Sequence, residues 1–79
     1  MDIRELITID NEILGGQTVF KGTRVPVETL FDHLEAGISL DQFLEDFPTV
    51  SREQAIALLD WANTLFNTKN LDQLHEVIA

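Results

Sequence analysis

Residues 26–55, PVETLFDHLEAGISLDQFLEDFPTVSREQA, decide the fold. Val27, Leu30, Phe31 and Leu34 recur at i, i+3, i+4 and i+7, so the stretch Pro26–Ala36 reads as a helix with one apolar face. Proline at the first helical position loses no intrahelical hydrogen bond, and Gly37 suits a left-handed C-terminal cap. Ser39 then opens a second helix, with Gln42 three residues later to complete a capping box and Ile38 placed to staple onto Phe43. Leu40, Phe43, Leu44 and Phe47 form its buried side, and Pro48 stops it. Ser51 and Gln54 repeat the capping device for a third helix. That helix carries Ala55, Leu59, Ala62 and Phe66 on one stripe and Leu58, Trp61 and Leu65 on an adjoining one. The joint Phe47-Pro48-Thr49-Val50-Ser51 has the length of a helix-turn-helix, and the spacing suits any small helical bundle equally well.

Working outward, Ile7-Thr8-Ile9 alternates, Gly15-Gly16 punctuates, and Thr18-Val19-Phe20 is rich in strand formers, which predicts a short hairpin or extended arm. Lys21-Gly22-Thr23 marks a turn before Pro26, which also biases Val25 towards extended geometry. On the other side, Asn67 to Asn70 break the helical pattern, and Leu71, Leu74, Val77 and Ile78 suggest a short C-terminal helix. The organisation read from the chain is therefore a single domain. Residues 1–25 form its N-terminal arm, 26–66 its three-helix core and 67–79 a C-terminal segment.

A chain of 79 residues has room for one domain and hides only ~60% of its unfolded surface. With 44% hydrophobic and 24% charged residues it has the composition of a folded protein. The lack of cysteine excludes disulfides and thiolate metal sites and suits a reducing cytoplasm. No signal-like segment opens the chain, and its longest apolar run, Ala55 to Leu59, is far below the ~20 residues that span a bilayer, so no membrane association is expected.

Fourteen acidic against five basic residues give a formal charge of -9, which repels nucleic acid at long range and favours basic partners. Residues 27–66 hold eight of the acids and only Arg52. Glu28, Asp32 and Glu35, at i, i+4 and i+7, make a like-charge stripe on the first helix. It is a candidate face for a basic partner, and a solvated outer face is the plainer reading. A nucleophile with its base, a metal cluster or a tuned carboxylate pair would each need a spacing this chain lacks. His33 and His75 have no second histidine at i+4, and Gly15-Gly16 with Gly22 does not match a phosphate loop. No enzymatic activity, cofactor or metal site is expected. Leu58, Trp61 and Leu65 form an apolar stripe that three short helices cannot fully cover, which predicts a homodimer unless the C-terminal segment covers it.

The segment Ile13-Leu14-Gly15-Gly16, followed by Phe20-Lys21-Gly22-Thr23-Arg24-Val25-Pro26-Val27, resembles the domain of unknown function 433 family. The family signature, G-G-x-P-x-x-x-G-T-R-x-P-V, is met at every position except the first proline, which is Thr18 here. The similarity continues through Glu35-Ala36-Gly37, Phe47-Pro48-Thr49-Val50 and Gln54-Ala55-Ile56. This resemblance implies a homeodomain-like three-helix helix-turn-helix core with a short N-terminal β arm or hairpin. It also implies a role like that of VapB-type antitoxins, which are often paired with a PIN-like ribonuclease toxin. Among the matched residues, Gly15, Gly16, Gly22, Thr23 and Pro26 suit structural roles, with Gly16 and Gly22 at backbone angles closed to other residues. Arg24 could tie the arm to Glu28 or meet a phosphate, and the structural role is favoured.

Two functions follow as expectations. The first is an antitoxin-like protein that neutralises a PIN-like ribonuclease through its acidic surface and takes part in operon autoregulation. The second is a DNA-binding regulator in which Thr49, Ser51, Arg52 and Gln54 face base edges while Lys21 and Arg24 touch phosphates. Against the second, few released counterions are available to support a complex with operator DNA. A domain that only oligomerises is the plainest alternative.

Overall fold

The computed structural model describes residues 2–65. Two antiparallel strands, β1 (Ile7–Ile9) and β2 (Thr18–Phe20), are followed by helices α1 (Val27–Glu35), α2 (Leu40–Asp46) and α3 (Arg52–Thr64). Ile7 lies opposite Phe20, Thr8 opposite Val19 and Ile9 opposite Thr18. The short C-terminal helix expected over 67–79, together with Phe66 and His75, lies outside the described residues. None of the described helices is long and apolar enough to cross a membrane.

Each helix boundary has a local cause. Pro26 sits just before α1 rather than as its first residue, with φ -62° and ψ 137°. It is held extended because it bridges Val19 of β2, while the Phe20 amide donates to the Val25 carbonyl at 3.0 Å. At the far end of α1, Gly37 takes φ +81°, the Ile38 amide donates to the His33 carbonyl at 2.9 Å and the Gly37 amide to the Leu34 carbonyl at 3.1 Å. This pair of bonds is the Schellman arrangement, which glycine enters without the steric penalty that a Cβ brings. Between α2 and α3 the Val50 amide closes a turn onto the Phe47 carbonyl at 3.0 Å, and Val50 itself is buried.

The core overturns one expectation. Phe20 of the hairpin is fully buried in the same cluster as Leu30 of α1, Phe43 of α2, and Ala55 and Leu58 of α3. The Phe20 and Phe43 rings lie 6.2 Å apart. A homeodomain-like three-helix core with a peripheral arm therefore does not describe this protein. It is a small domain in which three helices and a two-stranded hairpin share one core. The physical reason is helix length: at nine, seven and thirteen residues the helices supply few large core side chains. Among the fully buried residues α1 supplies Leu30 and α2 supplies Phe43. The hairpin provides the remaining aromatic, and burying such a side chain contributes about 1.5–3 kcal/mol.

The two serine caps, alike in sequence, differ in the structure. Ser39 Oγ accepts from the Gln42 amide at 3.1 Å, but the Gln42 side chain turns to donate to Asp46 at 3.0 Å, leaving the box half made. At α3 both bonds form: Ser51 Oγ accepts from the Gln54 amide at 3.0 Å and Gln54 Oε1 accepts from the Ser51 amide at 3.3 Å. The same Gln54 donates through Nε2 to the Lys21 carbonyl at 2.8 Å, joining α3 to the turn after β2. Gln54→Ala should therefore cost about 1–2 kcal/mol in urea unfolding, with two bonds lost. Gln42→Ala should stay within ~0.5 kcal/mol.

Candidate partner-binding surface

Three surface features meet around this core: an apolar groove, an acidic helix face and a small cleft beside the turn after β2. The groove encloses about 450 Å³ between the N-terminal turn, the hairpin, α1 and α3. Its apolar lining includes Ile3, Ile7, Val27, Phe31, Trp61 and Ala62, with Leu58 also contributing and Gln17, Thr18 and Glu28 as polar members. Leu58 is only 3% exposed while Trp61 is 38% and Leu65 46% exposed. The stripe read as a dimer face is therefore divided: Leu58 belongs to the core of its own chain, and Trp61 and Leu65 are presented to solvent.

Glu28, Asp32 and Glu35 are all exposed on α1, and no described residue pairs with their carboxylates. Glu28 also lines the groove, so the acidic stripe begins where the apolar surface ends. His33, on the same helix, faces inward. Its Nδ1 donates to the Thr29 carbonyl at 2.8 Å, because a carbonyl can only accept. The imidazole meets the rings of Phe43 and Phe47 edge-on at 5.4 and 5.5 Å.

The residues considered for DNA readout are largely occupied within the chain. Arg52 is ion-paired with Asp41 at the start of α2. Ser51 and Gln54 are spent in the capping box, and Lys21 Nζ donates to the Arg4 carbonyl at 3.3 Å. Arg24 and Thr49 remain, and the structure brings both to the cleft beside the turn. Thr23 builds that turn: its hydroxyl donates to the Phe20 carbonyl at 2.8 Å and accepts from the Val25 amide at 3.0 Å. Gly22, at φ +80°, occupies the turn position that needs a positive φ, and Gly16 likewise has φ +91°. Arg24 makes no ion pair with Glu28, so the tie between arm and helix is absent.

Sequence patterning missed the contributions of Ile3, Gln17 and Thr18 to the groove and of Thr8 and Ile13 to the cleft. The period-two alternation of Ile7-Thr8-Ile9 was the available signal, since it sends Ile7 and Thr8 to opposite faces of the hairpin.

These features define a small domain of three helices and an integrated two-stranded hairpin. The chain belongs to the family described as Protein of unknown function (DUF433), whose model matches residues 7–62. It is similar to the uncharacterized protein y4eO of Sinorhizobium fredii (strain NBRC 101917 / NGR234), with 41% identity over 51 residues. That match covers 65% of this chain and 23% of the relative, so the chain spans about a quarter of the relative's length. In solved structures it is similar to a DUF433 member protein from Anabaena variabilis ATCC 29413. The TM-score is 0.65 at 25% identity, covering 90% of this chain and 68% of the other.

The division of the α3 stripe can be measured. Leu58→Ala should cost about 2–5 kcal/mol in urea unfolding, as for a truncated core leucine. Trp61→Ala should cost about 1 kcal/mol, because its ring is part of the surface. Equal losses for the two would place Trp61 in the core.

Proposed function

We propose that this chain is a non-catalytic, antitoxin-like binding module that captures a basic partner protein of the PIN-like ribonuclease class. The observation that carries the reading is the adjacency of the apolar groove, edged by the exposed Trp61, to the unpaired stripe Glu28, Asp32 and Glu35. An apolar patch rimmed by charge is the usual anatomy of a protein interface, with the apolar part supplying affinity and the rim steering encounter. A net charge of -9 selects for a basic partner, and the substrate groove of a ribonuclease is such a surface. A second copy of the chain is the competing occupant.

DNA binding belongs to this reading only through the partner. With Arg52 and Gln54 engaged inside the chain, the isolated protein should bind promoter DNA no tighter than the ~10⁻⁶ M of non-specific complexes at physiological salt. Titration of its own promoter with and without the partner checks this. Tight sequence-specific binding by the chain alone would overturn it.

The partner reading is tested by surface plasmon resonance against a basic PIN-like ribonuclease. Asp32→Lys with Glu35→Lys should slow association about tenfold and flatten its salt dependence, and Trp61→Ala should mainly speed dissociation. Association rates that ignore both salt and charge reversal would remove the electrostatic face. Light scattering that gives a dimer, dispersed by Trp61→Ala, would assign the groove to a second copy.

A further inference from the structure

In a chain of charge -9, the basic groups of the described residues are almost all paired or hydrogen-bonded within the chain. Arg4 pairs with Asp2 at 2.8 Å, a bond that holds the Asp2 carboxyl below its ordinary pKa. Arg52 pairs with Asp41, and Lys21 Nζ bonds the Arg4 carbonyl. Arg24 is the exception: among the described residues its guanidinium has neither an ion pair nor a hydrogen bond, although the chain carries fourteen acids.

Its surroundings are built differently from the rest of the surface. Arg24 lines a cleft of about 550 Å³ together with Thr8, Thr49, Ile13, Gly22 and Val25, and no described acidic residue lines it. The hydroxyls of Thr8 and Thr49 have no partner among the described residues, in contrast to Thr23, whose hydroxyl is consumed by the turn. The Gly22 and Arg24 amides donate to no described group either, while those of Thr23 and Val25 are bonded on either side of them. Space beside Gly22 is open, with no atom within 4 Å of where a Cβ would stand. Thr8 places the cleft on the face of the hairpin opposite to Ile7, and so away from the apolar groove. Among the described residues, a cleft without acidic lining thus brings together Arg24, Thr8 and Thr49, whose side-chain polar groups are unpaired, with Ile13 and Val25 as apolar members.

We propose that this cleft is a carboxylate-binding site, taking a glutamate side chain of a bound polypeptide on Arg24, with Thr8 and Thr49 as flanking hydrogen-bond donors. A guanidinium offers two parallel N–H bonds that match a carboxylate. Ile13 and Val25 suit the methylenes that carry a glutamate's charge. A nucleic-acid phosphate chain is disfavoured because a polyanion meets the repulsion of the whole molecule with a single cation here to offset it. The site does not depend on the identity of the partner at the groove, and its test uses no part of that surface.

The test is a titration of the full chain, labelled with ¹⁵N, followed by NMR. The probes are the peptide acetyl-Ala-Val-Glu-Val-Ala-amide, its glutamine counterpart, inorganic phosphate and an octathymidylate. The glutamate peptide should shift the Arg24 Nε–H and the amides of Gly22, Thr8 and Thr49 in a saturable way at millimolar concentration. Its glutamine counterpart should bind at least tenfold more weakly. Arg24→Gln should lower affinity for the glutamate peptide at least tenfold while leaving amide signals away from the cleft in place. Thr49→Val should weaken it several-fold, and Arg24→Lys should retain part of it. Shifts of equal size with the glutamine peptide, binding that survives Arg24→Gln, or tighter binding of phosphate or octathymidylate through the same residues would each overturn the proposal.

Discussion

The ring of Phe43 is the contact on which the rest of the structure depends. It is fully buried, it meets Phe20 of the hairpin at 6.2 Å and Phe47 at 5.1 Å, and His33 of α1 stands edge-on to it. One side chain on the shortest helix thereby joins both strands and helices. Without Phe20 opposite it, α2 would carry a large apolar face with too little chain to cover it, since a helix of seven residues has negligible stability of its own. The hairpin is accordingly a structural member of the core, and the groove exists because the hairpin leans against α1 and α3 rather than trailing from them.

Charge is distributed around this core in a way that bears on function. Of the described arginine and lysine side chains all but Arg24 are engaged within the chain, Arg4 with Asp2, Arg52 with Asp41 and Lys21 with the Arg4 carbonyl. Exposed ion pairs of this kind contribute little to stability, but each removes a cation from any role in holding phosphate. Among the described residues the acids of α1 stay outward and unpaired, so the long-range field remains negative on the side of the groove. On the proposed function, a basic partner docking at the groove would approach through this negative field, with apolar contact beneath it.

The signature segment shows how a family motif can divide between structure and surface. Gly22 and Thr23 make the turn that leads from β2 to α1, and Pro26 completes it by bridging back to Val19. Arg24, inside the same run, takes no part in that construction. Its neighbours secure the backbone by other bonds, and Glu28 four residues on does not pair with the guanidinium.

Local pattern in the amino-acid sequence was enough to determine the elements. Strands at Ile7–Ile9 and Thr18–Phe20 and the caps at Ser39, Ser51 and Gly37 follow from alternation, β-branched residues, hydroxyls at helix starts and a glycine at a helix end, all of which act within a few residues. What lay beyond that range was decided by packing. Nothing within the sequence of the hairpin states that Phe20 lies in the helical core, since a strand residue and a loose arm residue look alike until Phe43 of α2 is in place. The identical capping patterns at Ser39 and Ser51 end differently for the same reason: Gln54 finds the Lys21 carbonyl across the fold, while Gln42 has only Asp46 on its own helix. Side chains whose partners are local could be read from the chain, whereas Gln54 and Arg52, whose partners are distant, and Arg24, left without one among the described residues, took their roles from the tertiary structure.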